Sequence, residues 1–246
     1  MLRIIQVGHN DASDRYIRNK MKAIEKEGMT VELINLPENC ETSDVCDAVE
    51  NAAYCEETRA VMVQLPLPSH INKDEVMACI PVWADIDGLN PNSDYKPLTP
   101  CAIMRWLKEQ DICLEGKNVA ILGRSELVGK PLANMMIDAG ATVTVMNSKT
   151  DAVLATVYCK DADIVISAVG KPCTVTSNRM SHLHKQIIID VGINRDENGK
   201  LCGDVSRMGR EHAEKIGHIC TPVPGGVGKW TVRELVLRLK EMEGLV

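Results

Sequence analysis

Phenylalanine is absent from this chain of 246 residues, and aromatic residues of all kinds make up 3%. No function follows from that absence, but other absences exclude whole classes. There is no basic excess: the net charge is -6, so the chain lacks the electrostatic footprint of a nucleic-acid binder. No apolar run is long enough to span a bilayer, and Met1-Leu-Arg-Ile-Ile-Gln-Val7 reads as a strand and not as a signal peptide. The ten cysteines include no C-x-x-C pair, which predicts reduced thiols in a cytoplasmic protein and not a disulfide framework or a zinc site. His182-x-His184 is a lone pair beside a loop and reads as surface. Internal repeats and low-complexity tracts are missing as well, and 45% hydrophobic residues exclude a largely disordered chain.

What is present is the pattern of an α/β protein with two domains. Residues 2–7, 30–36 and 60–65 read as strands and 11–27 and 43–51 as helices, an alternation that predicts a parallel sheet with right-handed crossovers. A helix over 101–110 follows. Near-continuous apolar runs at 119–122, 141–146, 163–169 and 186–193 have the character of strands buried on both faces, as in a Rossmann-like sheet. Near the end, Val232, Leu235, Val236 and Leu239 form a helical stripe that must pack somewhere. The expected organisation is a first lobe over 1–112, completed by a returning helix over 229–246, and a Rossmann-like NAD(P)-binding domain over 113–228.

The stretch Val119-Ala-Ile-Leu-Gly-Arg-Ser-Glu-Leu-Val-Gly-Lys-Pro131 carries the most information. It lacks the G-x-G-x-x-G fingerprint, having Gly123-x-Ser125-x-x-x-Gly129, yet it hands an apolar run to a helix in the manner of a nucleotide site. Alone, it also fits a turn that merely needs glycines. The next run ends at Asn147-Ser148-Lys149-Thr150, without the carboxylate that NAD sites place near the ribose hydroxyls. Nothing there repels a 2′-phosphate. Ser148 can donate a hydrogen bond and Arg124 and Lys149 offer positive charge, so the pattern favours NADP over NAD.

In the first half, Ser13-x-x-Tyr16-x-x-x-Lys20 places a phenol and an ammonium on one helix face. A desolvated lysine there exchanges protons near neutrality, whereas a solvated one is ordinary surface. The run Val63-Gln64-Leu65-Pro66-Leu67-Pro68 ends a strand at a glutamine and two prolines, where open α/β sheets collect ligands. An acidic turn follows at Asp85-Ile-Asp87-Gly88.

These segments form an ordered set with Ala162-Asp-Ile-Val-Ile-Ser-Ala-Val-Gly-Lys-Pro172, Ile189-Asp-Val-Gly-Ile-Asn194 and Thr221-Pro-Val-Pro-Gly-Gly-Val-Gly228. The set resembles the bifunctional methylenetetrahydrofolate dehydrogenase/methenyltetrahydrofolate cyclohydrolase family over nearly the whole chain. The resemblance implies a folate-binding first domain, an NADP-binding second domain and a homodimer. It implies oxidation of 5,10-methylenetetrahydrofolate to the methenyl cation and hydrolysis to 10-formyltetrahydrofolate. Lys20, Tyr16, Gln64 and Asp87 are then the catalytic group, with Asp87 reading the pterin through paired hydrogen bonds. Ser13, Leu65, Pro66, Pro224, Gly225 and Gly226 join them in holding the tetrahydrofolate derivative. The cofactor falls to Gly123, Arg124, Ser125, Val128, Gly129, Ser148, Lys149 and Thr150, and to Ala168, Val169, Gly170, Lys171, Val191, Gly192 and Ile193. No metal, nucleic acid or membrane partner is expected.

The chain departs from the family pattern in several places. The family's helix before the first strand has no counterpart ahead of Leu2, which exposes apolar surface unless another contact covers it. The connection from Gly88 to Thr99-Pro100 is short and ends Pro97-Leu-Thr-Pro100. Ala84 stands where a lysine is common, Asn147 where a histidine is, and Lys229-Trp230 where a Pro-Met pair is. These changes bear on folate affinity and on the balance of the two activities. The alternatives are a dehydrogenase with little cyclohydrolase activity or another small substrate, and a non-catalytic folate- or nucleotide-binding relative.

Overall fold

The structure, a computed structural model, describes residues 1–245 apart from the side chains of Asp11 and Ala12. Its contacts divide the chain into two units, Met1–Leu98 with Val232–Val246, and Thr99–Thr231.

In the first unit β1 (Leu2–Val7), α1 (Asp11–Lys26), β2 (Val31–Leu36), α2 (Thr42–Ala53), β3 (Ala60–Val63) and α3 (Lys73–Cys79) follow one another. The strands are parallel in the order β2-β1-β3. β1 is central because it is apolar on both faces. Ile5 and Val7 pack with Val45 and Val49 of α2 and Val76 of α3. Leu2 and Ile4 pack on the opposite side with Ile17 and Ile24 of α1 and with Leu235, Val236 and Leu239 of the chain's last helix. That helix covers the apolar face of β1, so the stripe near the carboxyl terminus finds its partner here.

The second unit holds α4 (Leu98–Glu109) from Thr99 on, then β4 (Asn118–Leu122), α5 (Gly129–Asp138), β5 (Thr142–Met146), α6 (Ala152–Asp161), β6 (Ile164–Ser167), β7 (Ile187–Asp190), β8 (Asn194–Arg195), β9 (Leu201–Cys202), α7 (Arg207–Lys215), β10 (Ile219–Cys220) and the start of α8 (Val227–Met242). Five strands are parallel in the order β10-β7-β6-β4-β5, while β8 and β9 form a small antiparallel hairpin. From β4 the chain runs outward to β5 and then returns to β6 on the other side of β4, which puts the switch of strand order between β4 and β6. Both faces are covered. Val119, Ile121, Ile164 and Ile189 pack with Ile103 and Leu107 of α4 and Leu132 and Met136 of α5. Ala120, Val165 and Ile188 pack with Ala155 and Cys159 of α6 and Ala213 of α7.

Two expectations are corrected. The division falls at Leu98/Thr99 and Thr231/Val232, not at 112/113 and 228/229, because Ile103, Leu107 and Val227 belong to the second core. The thiols are not all reduced: Cys46 of α2 and Cys79 of α3 form a disulfide with Cα atoms 5.7 Å apart. Packing of the two helices brings together cysteines 33 residues apart, which single spacing along the chain does not reveal. The other eight cysteines are free. No helix among the described residues is long and apolar enough to cross a membrane.

Candidate active site

Helix α1 carries Tyr16 and Lys20 one turn apart, and the Lys20 Nζ lies 4.7 Å from the centre of the Tyr16 ring. Lys20 is only 5% exposed. Its Nζ donates to Gln64 Oε1 at 3.1 Å and meets Met62 Sδ at 3.1 Å, and among the described residues it forms no ion pair. Gln64 stands one residue beyond β3. Its N-H donates to Ile5 O at 2.8 Å and its Nε2 to Leu65 O at 2.6 Å, which leaves Oε1 aimed at the amine. A cavity of about 180 Å³ opens at the carboxyl ends of β1 and β3, lined by Gln6, Asn10, Ser13, Gln64, Pro66 and Pro68 among others. The structure thus brings Ser13, Gln64 and Pro66 to one cavity, with Tyr16 and Lys20 joined to it through Gln64.

Burial draws the Lys20 pKa below the usual lysine range, and the charge of Asp87 opposes the fall. Burial likewise pushes Asp87 up, Lys20 pulls it down, and Asp85 adds to the rise. Burial therefore moves these two groups of opposite charge toward each other in pKa. The turn bearing Asp87 is fixed from α8. Arg238 donates to Ile86 O at 2.9 Å and Lys96 O at 2.8 Å and lies 5.1 Å over the Tyr95 ring. This arginine holds the short connection after Gly88 in place.

In the second unit the two motif glycines allow a close interlock. A Cβ on Gly123, whose φ is +110°, would lie 2.4 Å from Ala168 O, and one on Gly129 would lie 2.1 Å from Gly123 O. At these glycines the ends of β4 and β6 and the start of α5 pack backbone against backbone, with no room for a side chain. Ser125 Oγ accepts from Val128 N at 3.2 Å and Gly129 N at 3.4 Å, at the start of α5. Arg124 is exposed and forms no ion pair among the described residues. Beside it, after β5, Thr150 Oγ1 accepts from Asn147 N at 3.0 Å and Asn147 Oδ1 accepts from Lys149 N at 2.8 Å, a turn that leaves Ser148 and Lys149 exposed. Beyond β6 and β7, Ala168 N donates to Leu122 O and Val191 N to Ser167 O, while Val169 and Ile193 are 45% and 60% exposed. Two bare apolar side chains at neighbouring strand ends, beside exposed Gly170 and Lys171 and buried Gly192, suit a flat ring. Pro224, Gly225 and Gly226 lie on the loop between β10 and α8, with Gly226 N donating to Pro222 O at 2.9 Å.

Residues 1–87 match the family description "Tetrahydrofolate dehydrogenase/cyclohydrolase, catalytic domain", and residues 97–243 match "Tetrahydrofolate dehydrogenase/cyclohydrolase, NAD(P)-binding domain". The chain belongs to the tetrahydrofolate dehydrogenase/cyclohydrolase family. It is 40% identical to the bifunctional protein FolD of Lysinibacillus sphaericus, over 96% of this chain and 84% of that protein. It superposes on the bifunctional FolD dehydrogenase/cyclohydrolase of Campylobacter jejuni with a TM-score of 0.91 and 36% identity, covering 100% of this chain and 88% of that one. The Trypanosoma brucei enzyme, solved with NADP cofactor and an inhibitor, gives a TM-score of 0.88 and 31% identity over 98% of this chain and 85% of that one.

As a member of this dehydrogenase/cyclohydrolase family the chain is an enzyme with an NAD(P) domain, and its unusual residues have structural partners. Trp230 stacks on Trp106 with ring centres 4.5 Å apart. Sequence reasoning missed three charged residues that organise the two halves: Arg238, Asp190 and Asp204. Arg238 is only 5% exposed beside the apolar stripe of α8, and Asp190 stands inside the Ile189–Asn194 motif, so each left a trace. Asp204 left none. A larger cavity of about 310 Å³ lies at the opposite, amino ends of the second sheet, where Lys117 and Asp163 pair with each other at 3.5 Å. Open sheets bind at their carboxyl ends, so that cavity has no part in the site.

Proposed function

We propose that this protein oxidises 5,10-methylenetetrahydrofolate with NADP and hydrolyses the methenyl product to 10-formyltetrahydrofolate, with Lys20 as the acid/base of the second step. The observation that carries the reading is a buried amine held by Gln64 at 3.1 Å, with no counter-ion bonded to it among the described residues. NADP, when bound, supplies the hydride-accepting nicotinamide carbon, and the residues proposed to hold it are those at the ends of β4, β5, β6 and β7. Arg124, Ser148 and Lys149 take the 2′-phosphate side, with Thr150 shaping their turn. Gly123, Ser125, Val128 and Gly129 form the pyrophosphate approach. Ala168, Val169, Gly170, Lys171, Val191, Gly192 and Ile193 border the ring.

Chemistry at the folate carbon needs little from the protein beyond orientation, because the flanking nitrogen lone pairs stabilise the cation. The ring of Tyr16 supplies a stacking face and Asp87 accepts the pterin N-H and amine hydrogens. Ser13, Leu65 and Pro66 form the wall, and the loop of Pro224, Gly225 and Gly226 completes the substrate contacts. Water then bonds to the methenyl carbon and gives a proton to the neutral Lys20 amine. The same proton goes to the folate N5 as the carbon-N5 bond breaks, leaving the formyl group on N10, and the net reaction releases one proton.

The assembly proposed is a homodimer. β5 is an edge strand with Val145 exposed, and α6 beside it bares Val153, Leu154, Val157 and Tyr158. A bare edge and a bare helix face call for a second copy of the same surface. The compartment proposed is the cytoplasm, on eight free cysteines of ten.

The test is to supply purified protein with 5,10-methylenetetrahydrofolate and either nucleotide, following methenyl and 10-formyl products separately. NADP-dependent turnover to the formyl product is expected. Accumulated methenyl product would leave a dehydrogenase alone, and no turnover with either nucleotide would reject the reading.

A further inference from the structure

Two wholly buried carboxylates at the carboxyl ends of the second sheet accept most of their hydrogen bonds from backbone N-H groups. Asp190, the last residue of β7, accepts from Asp204 N at 2.8 Å, Val205 N at 3.0 Å and Arg210 Nη2 at 3.1 Å, and its own N-H donates to Thr221 Oγ1 at 2.9 Å. Asp204 receives five donors. Ser167 Oγ, Val169 N and Gly170 N donate to Oδ2 at 2.9, 2.8 and 3.2 Å, and Lys171 N and Asn194 Nδ2 donate to Oδ1 at 2.9 and 3.0 Å. The packing is reciprocal: a Cβ on Gly192 would lie 1.9 Å from Asp204 Oδ1, and one on Gly203 would lie 1.9 Å from Asp190 Oδ2.

Three successive backbone N-H groups converging on one acceptor form a nest of the kind that elsewhere takes an anion. Here the protein's own carboxylate fills it. The nest therefore has no anion to bind and its shape is fixed before any ligand arrives. Through this pair of residues the ends of β6 (167–171), β7 (190–194) and β10 (at Thr221) are locked to one another.

We propose that Asp204, seated on Asp190, is a positioning residue for hydride transfer: it sets the 169–171 loop, with its exposed Val169, at the geometry the nicotinamide ring needs. This rests on the reading that those loops border the ring. Among the described residues Asp204 bonds to neither Arg124 nor Ser148, which follow β4 and β5 on the far side of β6 from β7, and Lys20 belongs to the other unit. Its loss must therefore separate functions. Asparagine in its place keeps the shape but turns an NH2 toward N-H donors, so at least two of the five bonds cannot form.

The experiment compares wild type and Asp204→Asn in three measurements: kcat for NADP reduction, the dissociation constant of 2′,5′-ADP, and hydrolysis of methenyltetrahydrofolate without nucleotide. A loop displaced by about 1 Å costs on the order of a hundredfold in a transfer step, so a fall in kcat of about ten- to a hundredfold is expected. Both other quantities should stay within about twofold. Unchanged kcat, or a comparable loss in all three, with the dissociation constant rising as both rates fall, overturns the proposal. If Asp204→Asn does not fold, Asn194→Ala decides in its place: it removes one donor, and its kcat should fall about threefold with 2′,5′-ADP binding intact, whereas an unaltered kcat overturns the assignment. A wild-type protein that binds 2′,5′-ADP but never reduces NADP instead sinks the underlying reading of the reaction.

Discussion

At Lys20 the sign of a pH effect follows from named neighbours. Burial lowers its pKa and Asp87 alone opposes the fall, so hydrolysis by the neutral amine should rise with pH through a midpoint below the ordinary lysine range. Asp87→Asn removes the opposing charge and should move that midpoint to lower pH; a pH-rate profile in which it moves upward or stays put would contradict the assignment. The linkage to stability has the same direction. An amine whose folded pKa is depressed costs most when protonated, so unfolding free energy should rise with pH from that depressed value toward the ~10.4 of free lysine. Arg124 makes a second residue-scale case. It is exposed, forms no ion pair among the described residues and sits beside Ser148 and Lys149, so Arg124→Ala should weaken NADP by about tenfold or more while changing NAD less than about twofold. Equal losses in nucleotide titrations would remove it from the 2′-phosphate.

At the scale of elements, the last helix is the informative one. Leu235 is wholly buried against β1 and α1, and Leu235→Ala should cost about 2–5 kcal/mol in denaturant unfolding, against almost nothing for a helix packed loosely on the surface. The stripe that predicted this helix was legible because its apolar residues fall on one face. Helix α6 was not, because Val153, Leu154, Val157 and Tyr158 stay exposed while Ala155 and Cys159 are buried, so its apolar residues surround it and show no helical period. α3 has only seven residues and β10 two, too short to show a period at all. The apolar run to Ile193 overstated β7, which stops at Asp190 because that carboxylate and Gly192 turn the chain into the clasp around Asp204. Site legibility divides in the same way. Lys20, Tyr16 and Gln64 lie in compact motifs, whereas Arg238 and Asp204 act on segments distant in sequence, and only the fold supplies those partners.

At the scale of the whole molecule, the exposed face of α6 and the edge of β5 predict the assembly. Sedimentation should give the mass of two chains, and Leu154→Asp should give one chain with its fold retained; a wild-type monomer would reject the dimer. The central claim is that Lys20 is the acid/base of the second step of a two-step conversion and not of the first. The measurement that tests it most directly follows both half-reactions in Lys20→Met: methenyltetrahydrofolate hydrolysis without nucleotide, and NADP reduction with 5,10-methylenetetrahydrofolate. A loss of acid/base catalysis predicts that hydrolysis falls by about a hundredfold or more while NADP binding is unchanged and methenyl product accumulates. Hydrolysis at the wild-type rate in that variant would contradict the account.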